Sequence, residues 1–437
     1  MKKIISGLIA TLIGIAGETG IAQEAAPAPV YRFTLEDCLN HARNNNYNLL
    51  SLKLSEDARE DSYQQSKKER LPSLNASLNE SWSNSKGNSA SLNGNYALNA
   101  GLTLYQGGNI SNAIEQNRLQ MEQAYYQTSQ YENSLTIRIL QTFLTVLGNE
   151  ELLKYQETVL NASEEQWKQG REQFRAGQIL ESDYLLLEAQ YAGDKNNVVN
   201  TQIAHGNSLL DLKGLLSISP ENNIQIIYPD TAALLEMSIL PSLDEVLNST
   251  IGTLPDLKIS QYNIDIAQTS LKMAKASYLP TVSFQGSVGT GHAADYNRFG
   301  NQLSDRLNEQ IGISLSIPIY DNSRTRSKVT QSRIALQQAE LDRKQTELDV
   351  RQTVASEYRN VVSAYNKYRT TDVRQNAWSK TFDVYRAQFQ VGSITAVDLL
   401  QQQNNYISAL NDYIQSKYEF ILKRKILDVY QGVQIKM

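Results

Sequence analysis

The sequence predicts a mainly α-helical protein with a membrane-inserted β portion, built from a helix–strand–strand–helix unit that occurs twice. A tip motif containing Phe, Gly, Asp and Leu lies at residues 174–185 and recurs 215 residues later, at 389–400. Segments with apolar residues at every seventh position flank both copies, which favours coiled-coil helices. Each half also contains short segments in which apolar and polar residues alternate, as in strands with one apolar face. This duplication is the strongest signal in the chain.

Residues 1–22 are predicted to be a signal peptide. Lys2 and Lys3 precede an uncharged run at residues 4–15, and Gly20-Ile21-Ala22 fits a small-x-small cleavage site. The apolar run is too short and too glycine-rich for a membrane-spanning helix. No cysteine stands at the cleavage point, so we expect an exported protein without a lipid anchor.

The composition favours long helices with narrow apolar stripes over compact globular domains. Mean hydropathy is −0.43, and the 437 residues include only 23 Gly and 9 Pro. The net charge of −5 argues against nucleic acid as a partner. The single cysteine, Cys38, falls in a helical pattern and is interpreted as a small buried apolar residue.

The first half is predicted to begin with two helices. Thr34 is expected to cap the first, with Asp37 at the capping-box position. The second runs from about Tyr47 to Arg70, where Leu71-Pro72 stops it. The pattern then alternates, and strands are expected at about 73–83 and 95–105.

A helix of about 67 residues is expected from Asn109 to Arg175, with a length of roughly 100 Å. It ends at the first tip, at about 176–180, where Gly177 interrupts the pattern. Helical sequence returns until about Leu216. The returning segment and the helix before the strands together nearly match the long helix, so we expect them to stack end to end beside it. We therefore expect the helices to form the wall of a barrel, with the strands at one end and the tips at the other.

The first structural repeat therefore covers 23–217 and the second 242–437, joined by an equatorial linker at 218–241. The elements of the linker and second repeat are expected as a short strand at 224–228, longer strands at about 281–290 and 310–320, and a tip at about 391–395.

The longer strands have the length and alternation of transmembrane β-strands, with small polar residues on the second face. Aromatic residues near their ends, Trp82, Tyr105 and Tyr320, suit membrane interfaces. A half-buried sheet of a soluble domain is the alternative. Four strands cannot close a barrel, and free edges are not tolerated in lipid, so several chains must share one barrel. Two chains would give a filled interior, and three an aqueous lumen, which the small polar face favours.

Nearly the whole mature chain resembles the TolC-like outer membrane efflux proteins. The resemblance rests on motifs that occur twice in the same order: a Leu-Pro pair before the strands, a Tyr-initiated motif after them, and the tip. The first two are Leu71-Pro72 and Leu279-Pro280, then Tyr105-Gln106-Gly107-Gly108 and Tyr320-Asp321-Asn322.

The resemblance implies a homotrimer: a twelve-stranded β-barrel among the lipids of the cell outer membrane, continued through the periplasm by a long α-helical coiled-coil barrel. Such proteins are passive, cofactor-free ducts of tripartite efflux or type I secretion systems, for drugs, small toxic compounds or secreted proteins. The implied partners are a periplasmic adaptor protein and an inner-membrane transporter.

The resemblance also implies a gate at the periplasmic tips. Ser182 and Asp183 match a Thr-Asp pair, and Asp398 matches the first carboxylate of an acidic ring. Three positions depart from a relative that has Tyr, Arg and Asp there: Phe389, Ile394 and Gln401. The ring is therefore half retained, and the gate is expected to close through more apolar contacts than an Arg-to-Asp latch.

The adaptor is expected to dock in the groove between neighbouring tips, at Gly177, Gln178, Gly392 and Ser393. Some gate assignments have an alternative in ordinary helix chemistry. Asp183 and Asp398 would favour the helix macrodipole without lining a pore. For Phe389, packing in a core is the default and plugging of the lumen the alternative.

The sequence contains no constellation typical of an enzyme. His41, His205 and His292 lack partners at metal-binding spacing, and neither a phosphate-binding loop nor a nucleophile elbow occurs. We therefore expect no catalytic activity, metal or cofactor. The alternative function is a non-channel coiled-coil scaffold or adhesin of the envelope, which would have no use for four membrane-compatible strands.

Overall fold

The computed structural model describes residues 31–84, 91–228, 235, 240–293 and 299–433, and the predicted signal peptide lies outside them. Most of the described chain is helical. In chain order its elements are β1 (Tyr31–Phe33), α1 (Leu35–Asn45), α2 (Tyr47–Lys68), β2 (Ser73–Ser83), β3 (Ser91–Gln106), α3 (Asn109–Arg175), α4 (Glu181–Leu216), β4 (Ile224–Ile226), α5 (Leu243–Thr253), α6 (Pro255–Ala276), β5 (Thr281–Ala293), α7 (Phe299–Asp305), β6 (Asn308–Ser316), α8 (Arg324–Gln390) and α9 (Ala396–Tyr430).

The two halves begin with the same helix-capping arrangement. The Asp37 N–H donates to Thr34 Oγ1 at 3.2 Å, and the Thr34 N–H donates to Asp37 Oδ2 at 3.0 Å. The capping box predicted for α1 is thereby confirmed. Ser242 and Glu245 repeat the arrangement at α5, at 2.9 and 3.4 Å. Each box satisfies N–H groups that the first helical turn leaves without a partner.

The two long helices, α3 and α8, have 67 residues each and span roughly 100 Å. Helix α3 packs against α4 on the tip side and against α2 and α6 on the strand side, while α8 packs against α9 and α6. Helix α6 thus lies between the two long helices and joins the halves of the wall. Among the helices in the described ranges, none combines the length and the apolar composition that a membrane-spanning helix requires.

The four long strands form one antiparallel sheet in the order β2–β3–β5–β6. Strand β2 covers the residues predicted for it, and β3 and β5 extend beyond the predicted bounds. The prediction that the last strand reaches residue 320 is wrong. Strand β6 ends at Ser316 because Pro318 has no N–H to donate to a ladder.

Two elements were not predicted. Strand β1 pairs in parallel with β4, with Phe33 opposite Ile226, and so ties the start of the described chain to the linker. Helix α7 interrupts the connection from β5 to β6, a segment for which no element was predicted.

The largest apolar core lies midway along α3, where Phe143, Leu144 and Leu147 contact residues of α1, α4 and α9. Cys38 of α1 belongs to this core and is fully buried. Burial raises the pKa of its thiol to about 12. The interpretation of Cys38 as a packing residue is confirmed.

Candidate functional site at the helical tips and the sheet

The two tips have the same backbone conformation. Gly177 and Gly392 have φ angles of +70° and +74°, and the N–H groups of each glycine and its successor donate to carbonyls of the preceding helix at 2.8 to 3.0 Å. A β-carbon at either glycine would meet nothing within 4 Å. Glycine is therefore favoured by the left-handed backbone and not by lack of space.

The helices that leave the tips begin differently. At α9 the Asp398 N–H donates to Thr395 Oγ1 at 3.2 Å, and Thr395 Oγ1 donates to Asp398 Oδ2 at 2.7 Å. Helix α4 begins after Leu180, which supplies no side-chain cap. The Asp398 carboxylate therefore lies in the first turn of α9, where the macrodipole alternative places it, and also completes a capping box. Its side chain is exposed to solvent.

Most predicted gate and docking residues lie on the surface of the protomer near the tips. Asp183 and Ile394 are half-buried, and the exposed ones are Gly177, Gln178, Ser182, Gly392, Ser393, Asp398 and Gln401. The hairpins thus place Asp183 and Asp398 just beyond the turns, on the returning helices α4 and α9.

Phe389 does not line a surface that a pore could use. Its side chain is 6% exposed and belongs to an apolar cluster with Leu187 of α4 and Leu399 of α9, against which Ile394 also packs. The assignment of Phe389 to the pore ring is therefore corrected to core packing. Helical spacing directs the phenyl group of Phe389 towards α9, the returning helix of its own hairpin. Leu187 of the first hairpin also covers it.

Aromatic stacking joins the two helices of each hairpin at equivalent positions. Trp167 stacks on Tyr191 with ring centroids 5.3 Å apart, and Phe382 stacks on Tyr406 at 5.7 Å. Both members of the second pair lie 215 residues after those of the first. These stacks join the outgoing and returning helices of each hairpin above the tips.

Sequence reasoning missed two polar contacts that join the halves of the protomer. Glu151 of α3 accepts hydrogen bonds from Lys417 Nζ at 2.9 Å and Tyr418 Oη at 2.6 Å, both on α9. Burial and the Glu151 carboxylate raise the pKa of Tyr418. Nearer the tips, Gln403 of α9 donates to the carboxylate of Asp194 on α4 at 3.2 Å.

Asp194 had a signal in the sequence. The equivalent residue of the second repeat, 215 positions later, is Ala409. A carboxylate at a position that is apolar in the other repeat marks a local difference between two otherwise similar helices.

One face of the sheet presents large apolar side chains to its surroundings. The exposed fractions are 74% for Leu78, 81% for Ile311 and 71% for Ile313. The other face carries small polar side chains such as Asn75 and Ser314. In the described part of the chain, β2 and β6 each pair on one side only, so both edges of the sheet are open.

A polar row interrupts the apolar face near the end of the sheet away from the helices. His292 Nε2 lies 3.1 Å from Glu80 Oε1, and the Tyr96 hydroxyl donates to the same carboxylate oxygen. Gly94 leaves room for this contact, since a β-carbon there would lie 2.5 Å from the His292 ring. Within the described ranges, no three His, Cys, Asp or Glu residues are grouped as metal ligands.

Comparison with known proteins gives consistent matches along the chain. The model of the outer membrane efflux protein family matches residues 38–217 and 246–429. Outer membrane protein TolC of Vibrio cholerae is 21% identical over 442 residues, which cover 99% of this chain and 95% of that protein. Alkaline protease secretion protein AprF of Pseudomonas aeruginosa is 20% identical over 304 residues, which cover 68% of this chain and 61% of AprF.

Solved structures share the fold. A crystal structure of CusC superimposes with a TM-score of 0.78 at 17% identity and covers 92% of both chains. The open state of the MtrE outer membrane channel of Neisseria gonorrhoeae has a TM-score of 0.74 at 19% identity, covering 91% of this chain and 88% of MtrE. The architecture extends through helices, tips and strands alike.

Proposed function

The chain belongs to the outer membrane efflux protein family, and we propose that three copies form one duct that exports drugs or small toxic compounds. As a member of this family it is a channel protein of the outer membrane, spanning into the periplasm, and we propose that it has no catalytic activity. The duct is proposed to move its cargo passively.

The observation that carries this proposal is the incomplete sheet. Its four strands expose Leu78, Ile311 and Ile313, an apolar surface suited to lipid. Both edge strands, β2 and β6, have unpaired backbone groups, which lipid does not tolerate. Pairing β6 of one copy with β2 of the next removes every edge. Three copies supply twelve strands, and the small polar face then lines an aqueous lumen.

The helical part continues the same duct away from the membrane. Helices α3 and α8 run from the sheet to the tips over roughly 100 Å, and each is matched by helices packed along it. In this arrangement the repeats 23–217 and 242–437 each contribute one hairpin, so that six tips surround the far end of a trimeric duct.

The gate is proposed at these six tips. Asp398 is exposed, and three copies around one axis form a ring of carboxylates that favours cations. Asp183, Ser182 and Gln401 lie on the neighbouring surface of α4 and α9 and contribute polar groups. The buried cluster around Phe389, with Ile394 against it, supplies the apolar contacts that hold the second hairpin against the first.

The partners are proposed to be a periplasmic adaptor protein and an inner-membrane transporter. The tips lie at the end of the duct farthest from the outer membrane, where such proteins can reach it from the inner-membrane side. Gly177, Gln178, Gly392 and Ser393 are exposed at the tips, and we propose that a partner's helices dock on this surface. AprF is a protein of alkaline protease secretion, so a secreted protein is the second candidate cargo. A non-channel scaffold or adhesin is not supported by any observation.

Cysteine crosslinking of the sheet edges tests the shared barrel. Asn75→Cys lies on β2 and Ser314→Cys on β6, both on the small polar face. With a flexible bismaleimide, the double variant should give covalent trimers in outer-membrane fractions, while each single variant should not. Unheated SDS gels should show the same trimer, and planar bilayers should show ion conductance. A monomer in soluble fractions, or ladders that extend beyond three copies, would reject the proposal.

A further inference from the structure

Asp194 is a buried carboxylate in the wall of the duct, about 25 Å from the Gly177 tip along α4. Its side chain is 3% exposed. Gln190 donates to Oδ1 at 2.9 Å, and Gln403 Nε2 of α9 donates to Oδ2 at 3.2 Å. Ser163 of α3 also hydrogen-bonds to the carboxylate. Three helices therefore meet at one acidic group.

The groups that face Asp194 are uncharged. They are Ser163 from α3, Gln403 from α9 and Gln190 from its own helix, and Tyr155 of α3 lines an adjoining cavity. Among the described residues Asp194 takes part in no ion pair, and burial raises its pKa. A buried carboxylate without a cation favours its protonated form.

Gln403 has an unmet requirement that a protonated Asp194 would satisfy. Its side chain is 1% exposed, and within the described chain its Oε1 has no hydrogen-bond partner. An ionised carboxylate only accepts hydrogen bonds, whereas a carboxylic acid also donates one. Gln403 Nε2 is the atom that faces Asp194 in the structure, so the side-chain amide must turn over before a protonated Asp194 can donate to the buried Oε1.

Water can reach Asp194 from one side when the helices separate. The residue lines a groove of about 660 Å³ between α4 and α9. On its other side is a small cavity of about 10 Å³, room for about one water molecule. Outward movement of α9 would merge these spaces and hydrate the carboxylate, which favours its ionised form.

We propose that Asp194 and Gln403 form a proton-controlled clasp between the first and second hairpins of each protomer. Protonation closes the clasp, and ionisation favours separation of α9 from α4. The inference rests on the proposed function in so far as separation of the hairpins opens the gate. Asp194 and Gln403 are positioning residues, since they act through the helices and not on the cargo.

The direction of the pH effect follows from linkage. The folded, closed form holds Asp194 at a pKa above its ordinary value of 3.8. The clasp therefore contributes most at pH values below that ordinary value, and the contribution is lost as pH rises through the raised pKa. Higher pH favours the open arrangement, in which Asp194 is hydrated.

The test uses the full trimer and an isosteric variant. Asp194→Asn keeps a hydrogen-bonding side chain and removes the ionisation. Its thermal unfolding midpoint at pH 8 should exceed that of the wild type by on the order of 2 °C, and the difference should disappear towards pH 4. Asp211→Asn, which removes an exposed carboxylate from the same helix, should show no such difference.

Channel recordings provide the functional half of the test. Wild-type open probability should rise as pH increases through the raised pKa of Asp194. Asp194→Asn should lose that rise, and Asp211→Asn should keep it. Gln403→Glu places two carboxylates at hydrogen-bond distance, where they share a proton, so its pH response should shift upwards. If Asp194→Asn matches the wild type at every pH in both measurements, the clasp is rejected. If no variant conducts, the duct fails, whereas the unfolding comparison still decides the clasp.

Discussion

Gly170 of α3 and Leu187 of α4 pack so closely that a β-carbon at Gly170 would lie 2.4 Å from Leu187 Cδ1. Leu187 is 1% exposed and also contacts the cluster around Phe389 of the second hairpin. One glycine thereby lets a leucine of the first hairpin reach the core of the second. The contact between the two hairpins therefore depends on Gly170 having no β-carbon.

Gly170→Ala should destabilise the tip region by about 1–3 kcal/mol, since the new methyl group overpacks a filled core. Thermal unfolding measures the loss of stability. Leu187→Ala should destabilise the Gly170→Ala variant by less than it destabilises the wild type, because residues 170 and 187 occupy one shared space. Gly193→Ala is the matched control, since a β-carbon there meets nothing within 4 Å. Equal stability of the two alanine variants would contradict this packing.

Gly177→Ala and Gly392→Ala should each cost about 1–2 kcal/mol, because L-residues with a β-carbon are strained at a positive φ. Gly177→Asn should lose less stability than Gly177→Ala, since Asn tolerates this backbone conformation best after Gly. Unfolding midpoints and adaptor binding are the measurements. An alanine variant as stable as the wild type would show that the tip adopts another turn.

Asp398→Ala should weaken block of the open channel by divalent cations, because it removes three carboxylates from the proposed ring. Thr395→Ala removes the helix cap but retains the charge, so it should lower stability by about 0.5–2 kcal/mol and leave the block unchanged. Single-channel recordings separate the two effects. Unchanged block in Asp398→Ala would confine this residue to helix capping.

Lys417→Met should destabilise the protein more than Lys367→Met. The Lys417–Glu151 pair is largely buried, with side chains 12% and 19% exposed, so loss of the lysine leaves a desolvated carboxylate. Lys367 and Glu419 are 50% and 39% exposed, and such a pair contributes about 0–1 kcal/mol. Denaturant unfolding compares the variants. A reversed order would argue against α3–α9 anchoring at Glu151.

Cys38 should resist maleimide labelling in the folded protein at pH 8, because its thiol is buried and its pKa is raised to about 12. Only the thiolate reacts appreciably. Ser393→Cys, at an exposed tip position, should label fully under the same conditions. Mass spectrometry distinguishes the sites, and labelling of both at similar rates would indicate that α1 opens readily.

Much of the fold was accessible from sequence because it depends on neighbours along the chain. The bounds of α3, the capping box at Thr34 and the alternation in β2 all follow from local periodicity and local hydrogen bonds. The sequence also contains the signal that ends β6, since Pro318 prohibits continuation of the ladder. The prediction missed it because apolar residues continue at every second position past Ser316. The tips were also predictable, because each tip motif is a local pattern within about twelve residues of the chain.

The site was less accessible because its contacts join distant segments. The residues near Phe389 in the chain do not predict its contact with Leu187. Helical spacing alone was compatible with a position of Phe389 in a core or in the lumen. The parallel pairing of β1 with β4 likewise joins segments separated by a complete hairpin. Such pairings depend on how the helices pack.

By itself, the sequence determined the long helices, the positions of the four long strands, the two tips, and that the unit occurs twice, because each depends on a period or a cap within a few residues. Tertiary structure alone decided which polar groups became buried together. Asp194 and Gln403 are ordinary polar residues in their helices. They become a linked pair because α4 and α9 pack side by side and exclude water from the space between them.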